Sequence, residues 1–402
     1  MSRMFIRSRP LRILQAVGGL NRGGVETWAL NTVKHIDRDR YRIDFLVDST
    51  QNYPYNEELR SLGCSVLPCQ NYRNVPAYWV NLKAIYKEHG PYDIVHSHVH
   101  YFTGVILSMT AALGIPHRIA HVHPAVDLKP DSFGRRIYRA AMMRAISRNA
   151  TAVLACSDTS LHAFVNRCRP KTRLRQVLHN GVDLSAYTRN ADRASIRSSL
   201  GLPHDKLLVT YVARFVPHKN HAQLLRIAER FAKTHPAVHF VMIGSHGSLL
   251  DEVTAACRRM SNVSLLTDLP DVSDALLSSD IFLFPSLEEG FGVVALEAAA
   301  AGLPVVATDL PTIREALAPS HRELMFPPNN DDRAVESLLR VVLNPDVRLA
   351  TAREGLAWVQ RFSMTESVAT LTAFYDRLAE PQRDAHICAT AQNQTREAGL
   401  CR

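Results

Sequence analysis

Apolar residues along this chain fall in short continuous runs rather than in strict alternation. The segments LRILQAV (11–17), RIDFLVD (42–48), DIVHSH (93–98), HRIAHVH (117–123) and AVLACS (152–157) have the length and β-branched content of strands buried on both faces. Each is separated from the next by a stretch that holds a helix, such as GVETWALNTVKHI (24–36), or at least a loop and a turn. A second series follows: LLVTYVAR (207–214), VHFVMIG (238–244), VSLLT (263–267), IFLFPS (281–286) and PVVATD (304–309). Strand-to-helix alternation of this kind predicts an α/β protein whose parallel sheets are doubly wound, and its repetition predicts two similar domains.

The join is expected just past VLHNGVDLSAY (177–187), where Asn-Gly supplies a turn and TRNADRAS (188–195) is polar. We therefore assign residues 1–184 to a first Rossmann-like domain, 185–380 to a second, and 381–402, which lose periodicity, to a loose tail. Two open parallel sheets facing each other bind ligand at the carboxyl ends of their strands, in the cleft between them.

Composition narrows the function classes. With 402 residues and 46% hydrophobic content the chain exceeds one small module. Its net charge of +9 favours anionic partners: nucleotide phosphates, anionic lipid headgroups or nucleic acid. No nucleic-acid-binding module is recognisable and the arginines are not interleaved with aromatics for stacking, so no nucleic-acid partner is expected. Seven cysteines include no Cys-x-x-Cys pair, against both a disulfide framework and a zinc ribbon, and point to a reducing cytosol. The basic N-terminus, broken by Arg7, Arg9 and Arg12, lacks a signal-peptide core, and YFTGVILSMTAALGIP (101–116) is shorter than the ~20 residues of a spanning helix and reads as a buried one. The expected location is cytoplasmic, either soluble or on a membrane surface.

The chemistry concentrates in FPSLEEGFGVVALEAAAAGLPVVATD (284–309), where Glu289 and Glu297 stand eight positions apart. If most of that interval is helical, the rise separates them by up to ~12 Å. Carboxylate pairs that act on one glycosidic bond sit about 5–9.5 Å apart, so these two suit opposite ends of a long ligand. Gly290 and Gly292 allow close backbone approach, and the helix that follows offers free N–H groups to an anion. The alternative, a polar face on an alanine-rich helix and an unremarked loop residue, fits the spacing equally well.

Together with VARFVPHKNH (212–221), HNGVD (179–183) and GGLNRGGVE (18–26), this segment resembles family 4 of the retaining GT-B-fold glycosyltransferases, most closely the bacterial enzymes of exopolysaccharide or lipopolysaccharide synthesis. The resemblance covers about residues 11 to 380. It implies a GT-B architecture of two Rossmann-like domains facing a central cleft, with the last helix crossing back to the first domain.

Residue by residue, it implies that Glu297 holds the nucleotide ribose, that Glu289 contacts donor-sugar hydroxyls, and that the amides of Gly290, Phe291 and Gly292 meet sugar and diphosphate. Arg214 and Lys219 match the family's two diphosphate cations, and a guanidinium with an ammonium suits a leaving diphosphate. His123 matches the histidine that faces the reacting sugar, which leaves His121 as its neighbour in the strand. Gly23 and Gly24 approach the donor phosphate or the acceptor, Leu269 contacts the base through its backbone, and Glu26, near the acceptor, takes no assigned role. The glycines of 18–26 fit neither a dinucleotide fingerprint nor a P-loop. The alternating His96, His98 and His100 suggest a metal. The resemblance implies none, nor any cofactor, and HSHVH (96–100) is then expected as an acceptor-facing loop.

The implied activity moves a sugar, as a hexosyl or N-acetylhexosaminyl group, from a nucleoside-diphosphate-sugar donor, UDP by family frequency, to a lipid-linked saccharide or polysaccharide acceptor. FGRRIYRAAMMRAISRNA (133–150) sets Arg135, Arg136, Arg139, Arg144 and Arg148 among apolar residues at helical spacing, suited either to peripheral contact with an anionic membrane or to ordinary solvation. Two other functions use a similar donor cleft: a nucleotide-sugar 2-epimerase, which needs no acceptor, and a non-catalytic sugar-nucleotide-binding protein.

Overall fold

The computed structural model describes residues 9–123, 131–267 and 269–380. The N-terminal residues before 9, the expected loose tail and most of the loop after His123 lie outside them.

Two wholly parallel sheets are present. The first has seven strands in the order β3-β2-β1-β4-β5-β6-β7: β1 (Leu11–Ala16), β2 (Tyr41–Val47), β3 (Val66–Pro68), β4 (Ile94–Ser97), β5 (His117–Val122), β6 (Ala152–Ala155) and β7 (Arg175–Val177). The second has six in the order β10-β9-β8-β11-β12-β13: β8 (Leu207–Val212), β9 (Val238–Gly244), β10 (Val263–Thr267), β11 (Ile281–Phe284), β12 (Val305–Thr308) and β13 (Met325–Phe326). Ile13 stands in register with Ile43 and Ile94, and Val209 with Phe240 and Ile281, so apolar residues align across each sheet centre. In both sheets the strand order reverses beside the first strand of the domain, which opens a crevice at the carboxyl edge.

Helices on both faces bury the sheets because the sheets are apolar on both faces. Gly24–His35 presents Trp28, Ala29, Leu30 and Val33 to the core. The apolar stretch after Tyr101 forms the helix Thr103–Ala112, packed so closely on the helix Phe133–Asn149 that a Cβ at Gly104 would stand 2.7 Å from the Met142 carbonyl oxygen.

The last helix, Met364–Ala379, buries Leu371, Phe374 and Tyr375 in the core of the first domain. Trp28 Nε1 donates to Ser367 Oγ at 3.0 Å and the Tyr41 hydroxyl to Asp376 at 2.8 Å. The chain thus crosses between the sheets twice, and the crossings are tied together where the Val182 N–H donates to the Phe362 carbonyl and the Met364 N–H to the Val182 carbonyl, each at 2.8 Å.

Candidate active site

The site grows from the carboxyl ends of the strands. After β8 the chain passes Arg214 and makes a short turn, Pro217–Lys219, that ends at Asn220 with φ +57°, a conformation asparagine tolerates better than most residues. Asn220 Nδ2 donates to the Pro285 carbonyl at 3.2 Å, and the Leu287 N–H donates to the His218 carbonyl at 2.8 Å. These bonds clamp the loop after β8 to the loop after β11. The Tyr211 hydroxyl fixes the Lys219 carbonyl at 2.5 Å, and the Lys219 ammonium pairs with Glu289, both side chains being mostly buried. Arg214, by contrast, is exposed. The loop is electropositive: burial, with help from Lys219, lowers the pKa of His218 and brings that of His221 down to about 4.

Glu289 to Gly292 form a loop, and only Val293–Ala300 is helical, so the helical rise applies to the second half of the Glu289–Glu297 interval alone. Gly292 caps that helix with φ +77°, where a side chain is strained and would strike Ile313. Gly290 lies against the first domain: Ser157 Oγ donates to its carbonyl at 3.0 Å, and the Cys156 thiol reaches both the Gly290 and His123 carbonyls, at 3.3 and 2.8 Å.

Phe291 does not offer its ring to the cleft. It is buried, stacked on His179 with centroids 4.6 Å apart, and packed with Phe362 and Val182 in an apolar seam between the domains. Its backbone is what remains for a ligand. Glu297 is largely enclosed in its helix; burial, reinforced by the charge of Asp271, pushes its carboxyl up to about 7. Tyr187 is close enough to feel the charge of Glu297.

The opposing wall comes from the first domain. Gly23 and Gly24 open the helix Gly24–His35, and the Glu26 carboxylate folds back so tightly that a Cβ on Gly23 would meet Oε2 at 2.4 Å. Burial raises the pKa of Glu26, while Arg214 of the second domain, near enough to be felt, lowers it. Arg22 reaches across as well, its Nη1 donating to the Leu269 carbonyl at 3.3 Å. That oxygen is thus already engaged at the position expected to meet a base.

His123 directly follows β5 and is one of four buried histidines in a cluster. His98 Nδ1 and His123 Nε2 are 2.8 Å apart, His98 Nε2 and Gln15 Oε1 3.0 Å, His96 Nδ1 and the Tyr375 hydroxyl 2.7 Å, and His96 Nε2 and His121 Nδ1 3.0 Å. Burial holds all four rings neutral. The expectation of an acceptor-facing loop at 96–100 is therefore corrected for His96 and His98. The apolar strand β4 carries them into the interior beneath His123, and only His100 leaves, in the turn His100–Phe102. His121 is a member of this cluster rather than a mere strand neighbour. Among the described residues, His96, His98 and His121 bring one ring nitrogen each within 4.8 Å of one another, a grouping able to ligate a metal. The hydrogen bonds named above already use His96 and His98 at both nitrogens.

Sequence reasoning missed Gln15, Arg22 and Tyr375. Gln15, a polar residue inside the apolar run LRILQAV, was the one visible signal; Arg22 and Tyr375 act across 247 and 279 residues of chain and left none.

Facing parallel-sheet domains with cations, carboxylates and a histidine gathered at their carboxyl edges define a GT-B glycosyltransferase. Two family profiles agree: "Glycosyltransferase Family 4" matches residues 22–186 and "Glycosyl transferases group 1" matches 192–358. The chain is 30% identical over 310 residues to a Bacillus subtilis (strain 168) protein described as the glycosyltransferase EpsF, covering 76% of this chain and 80% of that relative. It is 29% identical over 328 residues to the D-inositol 3-phosphate glycosyltransferase of Mycobacterium leprae (strain TN), covering 77% and 74%. Its fold matches Anabaena Alr3699/HepE, solved with UDP and glucose, at a TM-score of 0.77 and 19% identity over 91% of this chain and 100% of that one. WaaG, a glycosyltransferase involved in lipopolysaccharide biosynthesis, matches at 0.71 and 16% identity over 92% and 100%. The chain belongs to glycosyltransferase family 4 and is a glycosyltransferase.

Proposed function

We propose that this glycosyltransferase moves a sugar from a UDP-sugar, with retention of anomeric configuration, to a lipid-linked or polysaccharide acceptor in cell-surface polysaccharide synthesis. The observation that carries the reading is the meeting of Lys219 with Glu289 one residue from the point where Gly290 presses on His123. A phosphate-seeking cation, a sugar-seeking carboxylate and a histidine of the opposite domain thereby share one place. The Anabaena neighbour solved with UDP and glucose and the similarity to EpsF support the donor and the pathway class.

In this reading the diphosphate lies between Arg214, Lys219 and the amides that open the helix Val293–Ala300. Glu297 accepts the ribose hydroxyls, and the backbone near Leu269 meets the base. The sugar reaches Glu289, the Gly290–Gly292 amides and His123, with Gly23 and Gly24 closing over the phosphate from the first domain. As the glycosidic bond breaks, the two cations and the helix N-terminus stabilise charge on the departing phosphate. The acceptor hydroxyl attacks from the same face and passes its proton to that phosphate. Arg214 and Lys219 supply the positive charge, so the reaction needs neither a metal nor a cofactor.

The acceptor side is the first domain. Phe133 and Ile137, 74% and 55% exposed, share one face of the helix Phe133–Asn149 with Arg136, Arg144 and Arg148. Such a face fits the headgroup layer of an anionic membrane and a lipid-linked acceptor on its cytoplasmic side. Among the described residues no helix is long and apolar enough to cross a membrane. Incubation with a panel of UDP-sugars and lipid extract, with the anomeric configuration of the product read by NMR, tests the proposal. An inverted product overturns retention, and an epimerised donor without transfer overturns the reading in favour of the 2-epimerase.

A further inference from the structure

The histidine cluster has a direction. An amide oxygen only accepts hydrogen bonds, so His98 Nε2, 3.0 Å from Gln15 Oε1, must carry the proton. Neutral His98 then has only a lone pair at Nδ1, and His123 Nε2, 2.8 Å away, must donate to it. Neutral His123 has just one ring proton, so its Nδ1 is bare. That atom is buried and has no hydrogen-bond partner among the described residues. The Gln15 amide is buried near the Tyr375 hydroxyl, and its Nε2 has no hydrogen-bond partner among the described residues. Tyr375 is in turn 2.7 Å from His96 Nδ1. Trp28 closes the cluster with its ring centroid 5.8 Å from His98, and a seated His98 cannot swing away to release His123.

We propose that Gln15 and His98 are positioning residues that hold His123 in its Nε2–H tautomer, so that the free Nδ1 lone pair accepts the proton of a hydroxyl on the sugar being transferred. This rests on the donor-site reading above and adds a chemical requirement to it. The donor sugar must bring an O–H to His123, and an analogue with the hydroxyl replaced by fluorine, which cannot donate, loses the contact. His123 supplies no proton to the leaving group, because it has none facing the site. Gln15 touches nothing that reacts and acts solely through His98.

The test is spectroscopic first. Long-range proton–nitrogen NMR of protein labelled with 15N-histidine, assigned with His123→Asn, distinguishes a protonated ring nitrogen from a bare one. The expected spectrum shows His123 protonated at Nε2 and bare at Nδ1, with a shift of Nδ1 on adding a UDP-sugar. Protonation at Nδ1 overturns the proposal, as does stoichiometric zinc or another transition metal in the purified protein by mass spectrometry, since a metal on His98 would replace its hydrogen bonds.

Kinetics give the second arm. Gln15→Met keeps the volume and removes the acceptor, and should lower kcat about tenfold to a hundredfold with the donor KM little changed. Gln15→Glu keeps an acceptor for His98 and should retain more activity than Gln15→Met. A purely packing role predicts the reverse order and overturns the assignment. If UDP itself fails to stabilise the parent protein in a thermal melt, the donor-site reading falls. If UDP stabilises and His123 is protonated at Nδ1, only the tautomer lock falls.

Discussion

Gly290 and His123 are in contact across the two domains: a Cβ at Gly290 would lie 2.2 Å from the His123 carbonyl oxygen, inside van der Waals contact with backbone. No side chain fits there without parting the loop from β5. Gly290→Ala should therefore destabilise the protein by about 1–3 kcal/mol. It should also lower kcat, because it moves the histidine away from the sugar end of the cleft. Urea unfolding and steady-state kinetics check both. Full activity in this variant would mean that the contact is incidental to transfer.

Glu297 gives a pH dependence with a definite sign. Its carboxyl is raised from 4.5 to about 7 in the folded protein, so the folded state holds a proton that the unfolded state has released. The resulting stabilisation is complete below pH ~4.5 and is lost as pH rises through 7, by up to about 3 kcal/mol. Glu297→Gln should remove that loss. At pH 8 the ligand-free variant should be more stable than the parent, and at pH 4.5 the two should converge. The same substitution should weaken UDP-dependent stabilisation, and melts across pH with and without UDP measure both effects.

Lys219 and Glu289 form a mostly buried ion pair, so removing one partner strands the other. Lys219→Met should cost about 3 kcal/mol, and adding Glu289→Gln should recover most of it without restoring activity. Glu289→Ala alone should keep stabilisation by UDP and lose the further increment given by the sugar. Chemical denaturation and ligand-dependent melts separate these outcomes.

The membrane reading singles out two exposed apolar residues. Replacing Phe133 and Ile137, 74% and 55% exposed, with Asp should leave the fold unchanged because neither is packed. Binding to vesicles containing anionic lipid should drop several-fold in a sedimentation assay, since the variant loses apolar contact and gains like charge.

Legibility in the sequence followed the length of each apolar run. The central strands of both sheets announce themselves, for example VHFVMIG as β9, whereas β3, β7 and β13 span only three, three and two residues, too few to leave a pattern to read. The positions of Arg214, Lys219, Glu289 and Glu297 in the segments that follow β8 and β11 were legible because each stands in a compact motif. Phe291 was legible as a position, not as a role: its ring packs in a seam made with His179 and Phe362, whose proximity no local spacing encodes. The histidines showed themselves as an alternation, but their purpose depends on Gln15 and Tyr375, which only the fold brings beneath them.

A crystal structure with an intact, non-hydrolysable UDP-sugar tests the central claim most directly. The account predicts the diphosphate between Arg214 and Lys219, the ribose on Glu297, and the sugar against Glu289 with a hydroxyl donating to His123 Nδ1. A donor bound outside the interdomain cleft, or one that leaves Glu297 and His123 without contact, would contradict it.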